Sequence, residues 1–172
     1  MTRVSRCAVM LLATACANGK TNDAFRPLDV GAAVPEYVAR TLDGDTVHVG
    51  DAASRAPTVL NVWATWCTSC REEMAALDSL KREFGSRGLR VIAVSVDDGD
   101  IERVRRFAAS NHLGMTVAHD PGATIERSYQ VVGVPTTFVI GGDGTLRWRH
   151  TGNITEMLPE VRRAVDGAIR AR

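Results

Sequence analysis

The chain has 172 residues, 45% hydrophobic and 24% charged, so one hydrophobic core is feasible and the composition is that of a globular protein. A formal net charge of +1 excludes a broad electrostatic attraction to nucleic acid or to an anionic membrane surface. Four cysteines, at positions 7, 16, 67 and 70, are left as the residues whose chemistry needs an account.

Residues 1–15 read as an export signal. Arg3 and Arg6 make a basic start, and the apolar run that opens at Cys7 reaches Ala17, shorter than the about 20 residues a membrane span needs. Ala13-Thr14-Ala15 satisfies the small-x-small rule for ordinary cleavage. Ala13-Thr14-Ala15-Cys16 also resembles the lipobox of bacterial lipoproteins, with Ala13 where that pattern usually carries Leu. In either case Cys7 leaves with the signal. Ordinary secretion would leave Cys16 as an unpaired thiol in an oxidising compartment, whereas a lipid on Cys16 removes it from thiol chemistry, so the lipoprotein reading is preferred. Residues 16–28 then form a polar tether, and residues 29–172 a single domain.

Val34–Arg40 and Thr46–Val49 read as short strands joined by a turn at Asp43-Gly44. Thr58–Trp63 is a nearly continuous β-prone run, as expected of a strand buried on both faces. From Cys67 to about Phe84, Met74, Leu77 and Phe84 mark one helical face, with Gly85 and Gly88 as stop signals. Arg90–Val96 is a second buried strand, and Ile101, Val104, Phe107 and Ala108 give a helix ending near His112. Met115–Ala118 is a short strand and Ala123–Gln130 a short helix. Thr136–Ile140 and Thr145–Arg149 flank Gly141-Gly142-Asp143-Gly144 as a hairpin, and Leu158, Val161, Val165 and Ile169 define a final amphipathic helix. This order predicts an α/β domain, a mixed central sheet with helices on both faces.

Cys67 and Cys70 fall at the start of the first helix, directly after a buried strand. Unpaired backbone N–H groups and the positive end of the helix dipole stabilise a thiolate there. Two cysteines three residues apart can close a disulfide or resolve a mixed one, with Cys67 the exposed nucleophile and Cys70 the resolving thiol one turn inward. A purely structural disulfide closing so small a loop would restrict the unfolded chain little. A zinc site would need ligands that no second Cys pair or His-x-x-x-His run supplies. His48, His112, His119 and His150 form no cluster.

Asn61-Val62-Trp63-Ala64-Thr65-Trp66-Cys67-Thr68-Ser69-Cys70-Arg71-Glu72-Glu73-Met74 resembles the active-site block of the thioredoxin-like TlpA/ResA-type reductases, which are exported and often membrane-tethered. Val132-Gly133-Val134-Pro135-Thr136-Thr137-Phe138 is similar to their cis-proline loop, and the likeness spans about residues 30–155. The resemblance implies a thioredoxin-like fold and a cis peptide between Val134 and Pro135 that faces the disulfide and offers backbone to an extended substrate segment. Trp66, Val134 and Pro135 are then substrate-binding, with Trp66 a partly exposed rim and Trp63 core.

Asn61 stands where ordinary thioredoxins carry a buried Asp. Glu73, three residues after Cys70, stands where the TlpA/ResA-type proteins carry a functional acid, so it is the candidate for proton transfer at Cys70, and Glu72 the bland first-turn carboxylate. Thr68-Ser69 departs from relatives that have a proline in the second place. The resemblance implies an extracytoplasmic protein-disulfide reductase, connected to cytochrome c maturation or a related task. Its electrons come from a membrane-bound thiol donor, without a bound cofactor or nucleic acid. Two other readings compete. A peroxiredoxin needs Thr three residues before its reactive Cys, where this chain has Ala64. A Cu(I) carrier needs a third, histidine ligand that the sequence does not assign.

Overall fold

The computed structural model describes residues 26–51 and 56–171. Cys16 and the proposed signal lie outside them, as does most of the tether. Seven strands are described: β1 (Tyr37–Thr41), β2 (Thr46–Val49), β3 (Thr58–Trp63), β4 (Arg90–Ser95), β5 (Thr116–His119), β6 (Thr136–Ile140) and β7 (Leu146–Thr151). The helices are α1 (Thr68–Phe84), α2 (Ile101–Ser110), α3 (Thr124–Ser128) and α4 (Leu158–Arg170). One sheet holds all seven strands in the order β2-β1-β5-β4-β3-β6-β7.

The central strands are those with unbroken apolar or β-branched runs. Every residue of β3 and of β6 is buried, as a strand covered on both faces requires. β1 instead alternates buried and exposed residues, the mark of a strand with one wet face. β3, β4 and β5 run parallel, while β6 lies antiparallel to β3. Both parallel crossovers, through α1 and then α2, step in the same direction along the sheet. Right-handed connections therefore put both helices on the same face. Side chains confirm it: Asn61 and Trp63, two apart on β3, meet Glu73 of α1 and Phe107 of α2 respectively. α4 joins that face, tied to α1 by Arg162–Glu83.

The opposite face is aromatic. Phe138 of β6 packs edge-on against Tyr129, just after α3, with ring centroids 5.4 Å apart, and Tyr129 meets Tyr37 of β1 at 6.2 Å. The expected helices on both faces are therefore present. Residues 31–34 cover the start of the β7 edge, where Gly31 N–H reaches Leu146 C=O and Leu146 N–H reaches Ala32 C=O, both at 2.8 Å. An edge that is paired in this way is closed to other strands.

Sequence boundaries hold within a residue or two for most elements. The largest shift is at β1, which begins at Tyr37 rather than Val34, because Val34 N–H is spent on Gly144 C=O instead of a ladder partner.

Candidate active site

β3 ends at Trp63, and a turn closed by Cys67 N–H onto Ala64 C=O (3.2 Å) swings the chain into α1. Cys67 is the N-cap: its backbone is extended and its Sγ accepts the Cys70 N–H at 3.2 Å. Cys67 and Cys70 are joined as a disulfide with Cα atoms 5.3 Å apart. The sulfur of Cys67 thus lies where the unpaired N–H groups of the helix converge, with the Ser69 hydroxyl 3.5 Å away.

Two expectations need correction here. Cys67 was to be the exposed member, yet it keeps only 7% of its surface, against 0% for Cys70. The order is as expected and the extent is not, because the N-cap hydrogen bond and the disulfide hold Cys67 against the helix end. Glu72, expected as a first-turn carboxylate, sits in the second turn, because the helix starts at Thr68.

Glu73 is fully buried on the face of α1 that carries Cys70, one turn further along. Its Oε1 accepts a hydrogen bond from Asn61 Nδ2 and its Oε2 one from the Ile154 backbone N–H, both at 2.8 Å. Asn61 Nδ2 also donates to Thr137 Oγ1 at 2.9 Å. Burial pushes the Glu73 carboxyl up to about 7; the hydrogen bonds from Ile154 and Asn61 favour the anion but do not outweigh desolvation. A buried acid that titrates near neutrality can both take and give a proton at working pH. Glu72 is exposed on the other side of the helix.

The Val134–Pro135 peptide bond is cis. Val62 pairs with Thr136, so Pro135 follows the sheet to the end of β3 from which the cysteine turn departs. Trp66 is 65% exposed, whereas Trp63 is fully buried, so an exposed indole directly precedes Cys67; Val132, 60% exposed, lies three residues before the cis-proline. Sequence reasoning did not single out Val132. It also missed Asp97 at the end of β4, whose carboxylate holds the Thr65 N–H at 2.8 Å. The register that sets Trp63 against Ser95 puts Thr65 beside Asp97, and strand ends of this kind are where α/β sheets gather function. Among the described residues no group of three or more His, Cys, Asp and Glu is placed to hold a metal ion.

The AhpC/TSA family model matches residues 30–149, which takes in both halves of this arrangement. The chain belongs to the AhpC/TSA family. The chain is 32% identical over 117 residues to the thiol-disulfide oxidoreductase ResA of Bacillus thuringiensis subsp. konkukian, a match covering 68% of this chain and 66% of that one, so the chain spans just under two thirds of the relative's length. It is 31% identical over 138 residues to the thioredoxin-like protein YneN of Bacillus subtilis, covering 79% of each. Among solved structures, a DsbE-type thiol:disulfide interchange protein from Chlorobium tepidum superposes with a TM-score of 0.76 at 27% identity, over 83% of this chain and 99% of that one. The fold is thioredoxin-like, and Cys67 and Cys70 form a disulfide at the start of α1.

Proposed function

We propose that this AhpC/TSA-family protein reduces protein disulfides outside the cytoplasm, with Cys67 as nucleophile, Cys70 as resolving thiol and Glu73 as the proton-transfer group. The observation that carries the reading is the placement of a disulfide at the N-terminus of α1 with a buried carboxyl one turn behind its inner sulfur. In the reduced protein the Cys67 thiolate attacks one sulfur of a substrate disulfide, forming a mixed disulfide and releasing the other substrate sulfur as thiolate. Glu73 takes the proton of Cys70, whose thiolate then attacks Cys67. The Cys67–Cys70 bond forms, the second substrate thiolate leaves, and two electrons have passed to the substrate. A membrane-bound thiol donor returns them, and no cofactor takes part.

Trp66 and Val134–Pro135 receive the substrate segment in this scheme, Trp66 by its exposed ring and the cis-proline loop by its backbone. The site of action is the periplasm or the outer face of the cell membrane. Cys16 is the lipid attachment point, and the task is cytochrome c maturation or related thiol handling. No helix among the described residues is long and apolar enough to cross a membrane.

The test is the reduction of insulin disulfides by the reduced protein, together with the potential of the couple. A value near −270 mV fits a reductase, and one near −120 mV would make the protein an oxidant instead. Cys67→Ser is expected to abolish exchange, and Cys70→Ser to accumulate a mixed disulfide through Cys67. Trapping through Cys70 in the reciprocal variant would reverse the two roles.

A further inference from the structure

Asp97, at the exit of β4, is 1% exposed. Its Oδ2 accepts the Thr65 backbone N–H at 2.8 Å and the Ser95 hydroxyl at 2.7 Å, while its Oδ1 accepts the Thr65 hydroxyl. Its own backbone carbonyl is held by His119 Nε2 of β5 at 2.8 Å. All three donors on the carboxylate are neutral, and a buried carboxylate persists only when such donors replace its water. Two of the three come from one residue, Thr65.

Thr65 and Trp66 are the two central residues of the turn that Cys67 N–H closes onto Ala64 C=O. A turn N–H that points away from its own hydrogen bond has no partner in the ladder, and Asp97 supplies one. The residue after Thr65 is the exposed Trp66, and the next is Cys67, the N-cap. The carboxylate therefore grips the short segment between the last sheet residue and the nucleophile. Asn cannot replace it: one amide oxygen serves fewer donors, and the NH2 group would face another donor.

We propose that Asp97 is a positioning residue for the reaction at Cys67, acting through both hydrogen bonds to Thr65 to hold the sulfur at the α1 N-terminus and Trp66 at the rim. The inference rests on the reading of Cys67 as nucleophile. A purely structural role would lower stability and leave the reactivity of the folded protein unchanged; a positioning role shows as lost reactivity in the folded protein, restored by any side chain that keeps the hydroxyl. Misplacement of a reacting group by about 1 Å can cost up to about 10²-fold.

The experiment uses the reduced full-length protein and two probes, iodoacetamide at pH 7 for the Cys67 thiolate and insulin for protein-disulfide reduction. Thr65→Val keeps the backbone N–H and the shape but loses the hydroxyl. It is expected to slow both reactions about tenfold under conditions where the variant is fully folded, with a thermal midpoint lowered by the lost donor to the buried carboxylate. Thr65→Ser restores the hydroxyl and is expected to stay within about twofold of wild type. Asp97→Asn should fall at least as far as Thr65→Val, and the double variant no further than Asp97→Asn alone, since the hydroxyl acts through the carboxylate. Alkylation of Thr65→Val at the wild-type rate, or an equal loss in Thr65→Ser, overturns the proposal, as does a double variant whose losses multiply. If Asp97→Asn does not fold, the two Thr65 variants decide alone. If the wild type leaves insulin intact, the reductase reading fails, and the alkylation rates still judge the grip of Asp97 on the turn.

Discussion

At Glu73 the physics of one residue makes two separable predictions. The first is kinetic. Resolution of the mixed disulfide needs a base for the Cys70 proton, and Asn61 cannot serve, since its amide is a donor to Glu73. Glu73→Gln is expected to slow release of the mixed disulfide by about 10²-fold, with Glu72→Gln changing little, as read by stopped-flow exchange with a protein disulfide. Equal, small effects of the two would make Glu73 a structural carboxyl. The second is thermodynamic. The folded-state value of Glu73, about 7, lies above its ordinary 4.5, so the folded protein holds more protons than the unfolded chain between those limits. Unfolding free energy therefore falls as pH rises through this window, by roughly 3 kcal/mol in full, and the low-pH side is the stable side for this group. Gln carries no charge, and the Asn61 amide can turn its unpartnered Oδ1 toward the new NH2 group. In urea titrations of the oxidised protein, Glu73→Gln should gain on the wild type between pH 5 and pH 8. A difference independent of pH would contradict the raised carboxyl.

Among the elements, the β1–β2 hairpin tests whether fold and reactivity can be separated. Gly50 follows β2 with a φ of +77°, and a Cβ there would lie 2.4 Å from the Pro35 carbonyl oxygen. An l-residue is strained in this conformation, and backbone atoms cannot move aside cheaply. Gly50→Ala should therefore cost about 2 kcal/mol or more, seen as a lower denaturation midpoint. The alkylation rate of reduced Cys67 should be unchanged, because the hairpin lies at the far edge of the sheet from β3. A parallel loss of reactivity would mean that the edge supports the site. α1 behaves differently from the hairpin. Its buried face is Cys70, Glu73, Met74, Ala76, Leu77, Leu80 and Phe84, so packing and the cysteine pair share one stripe. That stripe explains how a polar residue was hidden in an apolar pattern. Spacing placed Glu73 on the face, and only Asn61 and the Ile154 N–H make its burial tolerable.

For the whole molecule the prediction concerns the proposed anchor. If Cys16 carries the lipid, Cys16→Ala should move the mature protein from the membrane to the soluble fraction with its fold and Cys67 chemistry intact. A mature wild type that begins at another residue and carries no lipid would remove the anchor from the scheme.

Much of the protein was legible in its sequence, for reasons local to the chain. Unbroken β-prone runs marked β3, β4 and β6, the 3.6-residue stripe marked α1 and α4, and Cys67 with Cys70 at a strand-to-helix junction marked the redox pair, because periodicity and cap position depend on near neighbours alone. The cis bond at Pro135 and the candidate acid at position 73 came through the resemblance of whole motifs. What only the tertiary structure decided are contacts between residues far apart in the chain: Asp97 with Thr65, and Asn61 and Ile154 with Glu73. Such contacts follow from strand register and from which face each crossover takes, and no local pattern encodes them. The burial of Cys67 and the raised carboxyl of Glu73 belong to the same class, since desolvation is set by everything packed around a group.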